Sequence, residues 1–385
     1  MRSQQILVSA AMASGVMAAR PFLESPDTGI EMQLGALPDN ELPNVTSIVG
    51  IPDFEWVAQR YLPATNYTYY RNGAAGEYSY RNNMEVYHRY RLRPRMMVDI
   101  TNVPQTLGTT ILGHNFSAPF FISPCARAGL GHPNGEVNLV KGAGTGDILY
   151  MPALFSNVPL EEIHANKADG QVLFQQLYLD SNITATQALL DRTKAAGAQA
   201  VVYTVDSAAD GNRHRAARFG VGSADPDFSL ITWEWYQQLT TMTDLPIILK
   251  GLQTVDDIKL AIENKVPAVI LSNHGGRQLD DSPSSLEVAL EIFREDPDLF
   301  NQIEILADGG VRYGTDAIKL LALGVKAVGL GRPFMFANIF GQEGIERAIA
   351  IMKHELTIDL GNLGVPALQA LNPSYVNWNP VPWLM

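Results

Sequence analysis

The sequence predicts an α/β protein of the (β/α)8 barrel class, with a helical, tyrosine-rich extension at its amino-terminal side. Eight short apolar runs recur between residues 120 and 331, which is the number of strands that this barrel contains. Segments with helical spacing separate most of these runs. Polar residues cluster where the runs end, and barrels of this class place their active sites at the carboxyl ends of the strands.

The eight apolar runs are interpreted as strands, and the segments between them as helices. A doubly wound sheet is the alternative, but it normally places G-x-G-x-x-G after its first strand, and that motif is absent here. The glycines at 142–146 have the wrong spacing and lie in a helix-like region, so we interpret them as packing residues. The predicted strands are 120–123, 148–151, 172–178, 200–206, 246–250, 268–272, 304–308 and 327–331, and the clearest predicted helices are 185–197, 255–265, 286–293 and 315–324.

The predicted extension covers residues 52–90 and is rich in tyrosine. Such a density of tyrosine indicates a cap that packs on a larger body and leaves hydroxyl groups available to a site. Before it, residues 20–50 contain Pro, Gly, Asp and Asn with little periodicity and indicate a linker or extended arm. The predicted organisation is therefore an arm at 20–50 and one barrel domain with its cap at 51–385. The tyrosines of the extension are Tyr61, Tyr67, Tyr69, Tyr70, Tyr78, Tyr80, Tyr87 and Tyr90.

The first 19 residues are typical of a secretory signal peptide. Arg2 precedes an apolar run that ends in small residues, which indicates cleavage near Ala18 or Ala19. The run is too short to span a bilayer. A frayed helix or a mitochondrial presequence are the alternatives. We therefore expect a secreted glycoprotein rather than a peroxisomal or cytoplasmic one. Four glycosylation sequons accompany this prediction, at Asn44, Asn66, Asn115 and Asn182, and Asn66 is expected to be used least because it lies three residues from Tyr69.

Composition narrows the possible functions. The chain has 385 residues, of which 46% are hydrophobic and 18% charged, as in a soluble globular protein. Its net charge of −12 and the lack of a Lys/Arg run argue against nucleic acid as a partner. The one cysteine, Cys125, excludes an internal disulfide and a cysteine-based metal site. We expect no metal site and no membrane partner.

The polar residues at the ends of the predicted strands are the candidate site. Charged residues at the ends of apolar strands are costly unless they are paired, so their convergence indicates function. His274 beside Arg277 is suited to removing a proton from a substrate that carries a carboxylate. Glycine and arginine after the last two strands are typical of a phosphate site. The strand-end residues are Gln176, Tyr178, Thr204, Asp206, Lys250, Ser272, His274, Asp308, Gly309, Gly310, Gly331 and Arg332.

The run Ser-Asn-His-Gly-Gly-Arg-Gln-Leu-Asp at 272–280 resembles the active-site signature of the FMN-dependent α-hydroxy acid oxidase/dehydrogenase family. That family includes glycolate oxidase, lactate oxidase and mandelate dehydrogenase. The resemblance extends over residues 61–363, and a nine-residue match is highly specific. Supporting matches lie at Tyr69-Tyr70 with Gly73, and at 92–95, 176–178, 204–206, 249–251 and 308–312.

The resemblance implies a role for each candidate. His274 would be the base, oriented by Asp206, and Tyr178 would bind the substrate hydroxyl. Tyr69 and Arg277 would hold the substrate carboxylate, with Arg213 as a second cation. Lys250 would lie near N1 and O2 of the flavin. FMN itself would be lined by Pro124, Cys125, Ala126, Gln176, Thr204 and Ser272 at its ring, and held by Asp308, Gly309, Gly310, Arg312, Gly331 and Arg332 at its phosphate end. The resemblance also implies a homotetramer, and it leaves hydride and carbanion mechanisms open.

Three features depart from the family pattern and leave the substrate side chain open. Pro152-Ala153 stands where a serine pair is usual, so one flavin contact is missing or made by the backbone. Asn212 precedes Arg213 where a second arginine is common. The segment 219–233 is short, which makes a membrane anchor there improbable and predicts a more open site.

The leading hypothesis is the oxidation of a 2-hydroxy acid to a 2-oxo acid, with electrons passing to FMN and then to O2 to give H2O2. A secreted protein has no obvious intracellular electron carrier, and Ala126 resembles the oxidases rather than the decarboxylating monooxygenases, where glycine is typical. The alternatives are an FMN-dependent dehydrogenase, a tailoring oxidase for a bulkier hydroxy acid, a flavin-binding protein without catalysis, and a flavin-free barrel hydrolase.

Overall fold

The computed structural model describes residues 28–35, 37–38, 40–222 and 229–381. The predicted signal peptide lies outside the described residues, as do ten residues of the arm and six of the segment 219–233. The rest of the arm contains helix α1 (Ile30–Leu34) and a 3-10 turn at Val45–Ser47. Its Ile30 and Ile48 are buried, so this part of the arm packs against the main body.

The predicted helical extension consists of three helices. Helix α2 begins where the Asp53 carboxylate accepts the backbone N–H groups of Val49 and Gly50, at 2.9 and 3.0 Å. Its buried residues recur at helical spacing and face the barrel, as expected for an amphipathic helix. The cap is therefore helical and rich in buried tyrosine, as predicted. Its helices are α2 (Ile51–Tyr61), α3 (Ala64–Tyr70) and α4 (Tyr78–His88).

Three short strands precede the barrel. Strand β1 (Arg91–Leu92) pairs in antiparallel fashion with the last strand, β12 (Val376–Asn377), which joins the segment after the cap to the carboxyl-terminal part of the described chain. Strands β2 (Thr109–Ile111) and β3 (His114–Phe116) form a hairpin. Ile111 and Phe116 of that hairpin belong to the hydrophobic cluster inside the barrel, so the hairpin closes the barrel at the end opposite the site.

Eight parallel strands form the barrel. Seven lie within the predicted runs, and β8 continues two residues beyond the run predicted at 246–250. The sheet order is β5-β4-β11-β10-β9-β8-β7-β6, and a parallel bridge between Tyr150 and Leu173 joins the two edges. Burial of every strand on both faces explains why the runs are apolar without alternation. The predicted barrel is confirmed. Its strands are β4 (Phe120–Ile122), β5 (Leu149–Tyr150), β6 (Phe174–Leu177), β7 (Ala200–Thr204), β8 (Ile247–Leu252), β9 (Ala268–Leu271), β10 (Glu304–Asp308) and β11 (Val328–Leu330).

Helices cover the outside of the barrel. Gly142 lies in α5, and a Cβ there would come within 2.6 Å of Ile345 in α15, which confirms that this glycine serves helix packing. No helix in the described ranges is long and apolar enough to cross a membrane. The helices are α5 (Glu136–Thr145), α6 (Leu160–Ala165), α7 (Ile183–Ala195), α8 (His214–Arg218), α9 (Trp233–Thr240), α10 (Val255–Glu263), α11 (Ser285–Glu295), α12 (Leu299–Gln302), α13 (Gly314–Leu323), α14 (Arg332–Ala337) and α15 (Gly341–Leu363).

Candidate active site

Two adjoining pockets lie at the carboxyl ends of the barrel strands. Both pockets are lined by Lys250, His274 and Arg277. All predicted site residues except Asp206, Arg213 and Ser272 line one pocket or both. The first pocket holds Pro124, Cys125, Asp308, Gly309, Gly310, Arg312, Gly331 and Arg332, and the second holds Tyr69, Pro124, Cys125, Ala126, Gln176, Tyr178 and Thr204.

Asp206 lies behind His274 and holds its imidazole ring. His274 Nδ1 and Asp206 Oδ1 are 2.8 Å apart, and the Asp206 side chain is 0% exposed. Burial raises the pKa of Asp206, but nearby Lys250 and His274 lower it more, so the net shift is downward. The Asp206 carboxylate is therefore ionised. Its hydrogen bond is made with Nδ1, so Nε2 of His274 takes no part in it.

Lys250 is a buried cation between two carboxylates. Its Nζ lies 3.6 Å from Asp308 Oδ2 and 3.9 Å from Asp206 Oδ2. Burial lowers the pKa of Lys250, but the two carboxylates raise it further, and the net shift is upward. Ser272 Oγ accepts hydrogen bonds from Lys250 Nζ at 2.9 Å and from the backbone N–H of His274 at 3.0 Å. Ser272 thus fixes Lys250 and His274 relative to each other.

The loop that carries His274 has an unusual backbone. His274, Gly275 and Gly276 have φ values of 57°, 66° and 71°, a left-handed conformation that costs a histidine energy and glycine little. A Cβ on Gly276 would lie 2.4 Å from the backbone nitrogen of Tyr80. The backbone of the loop therefore touches the cap directly, and Gly276 O accepts the N–H of Ala74 at 2.8 Å.

Four side chains that line the second pocket are suited to a carboxylate with an apolar substituent. The guanidinium carbon of Arg277 lies 5.7 Å from the centre of the Tyr69 ring. Across the pocket, Phe155 stacks on Tyr178 with ring centres 5.4 Å apart. Phe155 was not predicted. It lies in the loop after β5, three residues beyond the departure at Pro152, and an exposed aromatic residue in a loop at this end of a barrel was the available indication.

Arg213 is placed differently from the other predicted substrate residues. Its Nε donates to the backbone oxygen of Arg277 at 3.1 Å, and its Nη2 donates to Gln278 Oε1. Arg213 is buried and does not line either pocket. In this structure Arg213 stabilises the loop that carries Arg277.

The predicted phosphate end is formed by the loops after β10 and β11. Gly310 has a φ of 80°, and a Cβ there would lie 1.8 Å from the backbone oxygen of Asn83, so no larger residue fits. Arg332 donates to the backbone oxygens of Tyr70, Asn72 and Gly275, at 2.8, 2.8 and 3.0 Å. Burial lowers the pKa of Arg332 to about 10. Three of its five N–H groups thus join the cap to the loop that carries His274, and two remain for a phosphate.

The residues of the first pocket fit FMN. Ser123 Oγ is buried at the wall of the pocket and has no hydrogen-bond partner among the described residues, as expected of a group that awaits a ligand. Gln176 Nε2 donates to Thr204 Oγ1 at 2.9 Å, which fixes two polar groups at the second pocket. Ala153 lines that pocket without a hydroxyl. In the described part of the chain, no cluster of His, Cys, Asp or Glu suits a metal ion.

Sequence reasoning also missed an amide pair that supports the site from behind. Asn83 of the cap and Asn273, next to the base, exchange two hydrogen bonds of 2.8 and 2.9 Å between their buried side chains. Tyr87 donates to the backbone oxygen of Gly309 at 3.0 Å. Buried partners nearly 200 residues apart carry no local pattern, so only the structure identifies them.

Comparisons with known proteins agree with this geometry. A family model described as FMN-dependent dehydrogenase matches residues 58–230 and 222–378. The chain is 35% identical over 368 residues to L-lactate dehydrogenase (cytochrome) of Saccharomyces cerevisiae, covering 87% of this chain and 62% of that protein. It is 31% identical over 356 residues to a peroxisomal (S)-2-hydroxyacid oxidase of Arabidopsis thaliana, covering 86% and 96%. The chain thus spans about three-fifths of the yeast protein.

A solved structure shows the same fold. The flavin-binding domain of flavocytochrome b2 from baker's yeast superposes with a TM-score of 0.84 at 35% identity, covering 89% of this chain and 90% of that one. The predicted barrel and the predicted cofactor, FMN, are both confirmed by these matches. The pocket geometry, the family match and the superposition agree, and this chain belongs to the family of FMN-dependent α-hydroxy acid oxidases and dehydrogenases.

Proposed function

We propose that this protein oxidises a 2-hydroxy acid to the corresponding 2-oxo acid with FMN as its cofactor. The observation that carries the proposal is the arrangement of His274, which is held by buried Asp206 and lines both pockets beside Arg277. A base, a carboxylate-binding cation and a cofactor pocket thus meet at one place. A flavin-free hydrolase would have no use for the buried Lys250 or for the glycine cradle at Gly310.

In this proposal each side chain of the site has a separate role in substrate binding or proton transfer. Arg277 forms a bidentate pair with the substrate carboxylate, and Tyr69 donates a hydrogen bond to it. Tyr178 binds the substrate hydroxyl, and His274 Nε2 removes one proton from the substrate, while Asp206 stabilises the imidazolium that forms. FMN, when bound, would take up the two electrons and, in the net reaction, the second hydrogen that leave the substrate. Lys250 supplies a fixed positive charge where reduction adds negative charge.

Phe155 favours a substrate with an apolar side chain. The residue is 38% exposed and lines the second pocket, and its ring stacks on that of Tyr178, which binds the hydroxyl of the substrate in this proposal. A substituent on the reacting carbon would therefore lie against an aromatic surface, where burial of each CH₂ is worth about 0.8 kcal/mol. Lactate and larger 2-hydroxy acids should be better substrates than glycolate.

Dioxygen is the electron acceptor that we propose, with H2O2 as the product. The secretory type of amino terminus and Ala126 support it. The similarity to L-lactate dehydrogenase (cytochrome) supports a second candidate, in which a protein takes the electrons. Rates of flavin reoxidation in air and with cytochrome c distinguish the two. Secretion, glycosylation and assembly as a homotetramer are further proposals, which cell fractionation, mass spectrometry and light scattering test.

The deciding experiment mixes the FMN-loaded protein with a panel of 2-hydroxy acids without oxygen and follows the flavin absorbance. We expect bleaching by at least one acid and release of the matching 2-oxo acid. A protein that binds FMN but is bleached by no acid would be a flavin-binding protein without this activity. A protein that takes up no FMN would contradict the cofactor assignment as well.

A further inference from the structure

Glu136 is a buried carboxylate outside both pockets. It is the first residue of α5, its residue is 0% exposed, and no Lys, Arg or His in the described ranges forms an ion pair with it. All of its hydrogen bonds come from backbone N–H groups. An ionisable side chain buried without a cation is costly, so its partners indicate what it is for.

Those partners belong to two loops that line the pockets. We call residues 123–130, which follow β4, the β4 loop, and residues 151–158, which follow β5, the β5 loop. Glu136 Oε1 accepts the N–H of Ala128 at 2.9 Å and that of Asn157 at 3.1 Å, and Oε2 accepts the N–H of Val158 at 3.2 Å. Asn157 Oδ1 accepts the N–H of Gly129 at 2.9 Å. One carboxylate thus joins the two loops, and Asn157 adds a fourth bond.

The joined loops both line the second pocket. Ala126 lies in the β4 loop, and Phe155 lies in the β5 loop. A tight turn transmits movement to Phe155, because the backbone N–H and the hydroxyl of Ser156 both bond to Ala153 O, at 3.3 and 2.7 Å. A shift of Asn157 would therefore move Phe155 relative to Ala126.

We infer that Glu136 is a positioning residue that sets the width of the second pocket through Phe155, and so selects the size of the 2-hydroxy acid side chain. The inference rests on the proposed function, since it names what determines selectivity at that same site. Glu136 does not touch the pocket and takes no proton from the substrate. Its contribution is the fixed distance between two loops.

Glu136→Gln tests this while keeping the shape of the side chain. The new Oε1 can still accept from Ala128 and Asn157, but Nε2 then faces the N–H of Val158, and two donors cannot bond to each other. The β5 loop should shift outward and widen the pocket. Because a single methylene in an apolar pocket changes selectivity by about 10-fold or more, we expect kcat/KM for mandelate relative to lactate to change by at least about threefold.

Three other variants separate positioning from stability. Phe155→Ala removes the ring on which Glu136 is inferred to act, so adding Glu136→Gln to it should leave the mandelate to lactate ratio unchanged. Asn157→Ala removes only the hydrogen bond from Gly129 and keeps the three bonds to Glu136, so we expect a smaller change in the same direction. This variant provides the test if Glu136→Gln does not fold. Asp53→Asn is the matched control, because Asp53 is also buried and also accepts two backbone N–H groups, but away from the pockets.

The measurements are the FMN content, the melting temperature, and kcat and KM for both acids with each FMN-loaded protein. Glu136→Gln should change the ratio in the wild-type background and leave it unchanged in the Phe155→Ala background, while Asp53→Asn lowers only the melting temperature. An unchanged ratio in Glu136→Gln and Asn157→Ala, or an equal change in both backgrounds, would overturn the inference. If the wild-type protein oxidises neither acid nor any other of the panel, the proposed function itself fails, and that result is distinct.

Discussion

Asp206→Asn should slow flavin reduction strongly and leave FMN binding intact. The carboxylate lies 2.8 Å from His274 Nδ1 and lines neither pocket, so the substitution changes the support of the base and not the cofactor contacts. The asparagine oxygen can still accept the Nδ1 hydrogen, which preserves the ring orientation. What is lost is the negative charge beside the imidazolium that forms when His274 takes a proton.

The size of the effect follows from Coulomb's law. Two unit charges about 4 Å apart interact by about 4 kcal/mol at an effective dielectric constant of about 20. A neutral hydrogen bond to the asparagine oxygen recovers about 1 kcal/mol. In this variant Lys250 Nζ still has the Asp308 carboxylate at 3.6 Å, so the buried cation is not left without a carboxylate partner. A net loss of about 2–3 kcal/mol corresponds to a decrease of about 30- to 150-fold in the rate of reduction.

Rapid anaerobic mixing of the FMN-loaded variants with a reactive 2-hydroxy acid measures this rate directly. His274→Gln provides the reference, because loss of the base itself should cost about 10²–10⁴-fold. In the double variant, Asp206→Asn should add almost nothing, since it acts through a side chain that is no longer present. Reduction of the Asp206→Asn protein at the wild-type rate, with normal FMN content, would refute the role of Asp206 and weaken the assignment of His274.

Other substitutions probe the remaining parts of the molecule. Arg277→Met should weaken the binding of 2-oxo acids to the oxidised enzyme by at least about tenfold, because a bidentate partner is lost, and a titration of the flavin spectrum that gives the wild-type Kd would contradict this. Burial raises the pKa of Glu355 to about 7, so the folded protein holds a proton that the unfolded chain has released, and stability should fall as pH rises from about 4.5 to about 7. Glu355→Gln should reduce that loss, which melting temperatures at pH 5 and pH 8 compare, and an equal fall in both proteins would exclude Glu355 as the cause. In protein secreted by a eukaryotic host, peptide mass spectrometry should find no glycan on Asn66, whose Nδ2 donates to Leu130 O at 2.9 Å, and a fully occupied Asn66 would show that this bond does not form before glycosylation.

The fold was predictable from the sequence because the barrel repeats one local pattern eight times. Each strand is buried on both faces, so each appears as an uninterrupted apolar run, and several of the intervening helices begin at a side-chain cap. At the start of α10, for example, Thr254 Oγ1 accepts the N–H of Asp257. The short hairpin β2–β3 and the pairing of β1 with β12 were not predicted, because two- and three-residue strands leave no periodicity.

The site was predictable as a set of residues, and less so as an arrangement. Strand ends converge in any barrel, which is why His274, Lys250 and Asp308 could be grouped before the structure was known. Which partner each one takes depends on rotamers and loop conformation. Arg213 and Arg332 illustrate this, because their guanidinium groups bond to backbone oxygens of distant loops rather than facing open space. Because the backbone carbonyl group is the same in every residue, the sequence does not show which backbone oxygen an arginine bonds to.

The nine-residue run at 272–280 does more than supply the proposed base and the proposed carboxylate-binding arginine. Gly276 O accepts the N–H of Ala74, and the carboxylate of Asp280 accepts those of Gly76 and Ser79, at 3.0 and 2.8 Å. The last part of the run thus anchors the cap, and the cap carries Tyr69. Because the same short segment places His274, Arg277 and the support of Tyr69, a shift of its backbone would move all three side chains together. That shared dependence gives a physical reason for a long, uninterrupted signature where two separate catalytic residues would have sufficed for the chemistry.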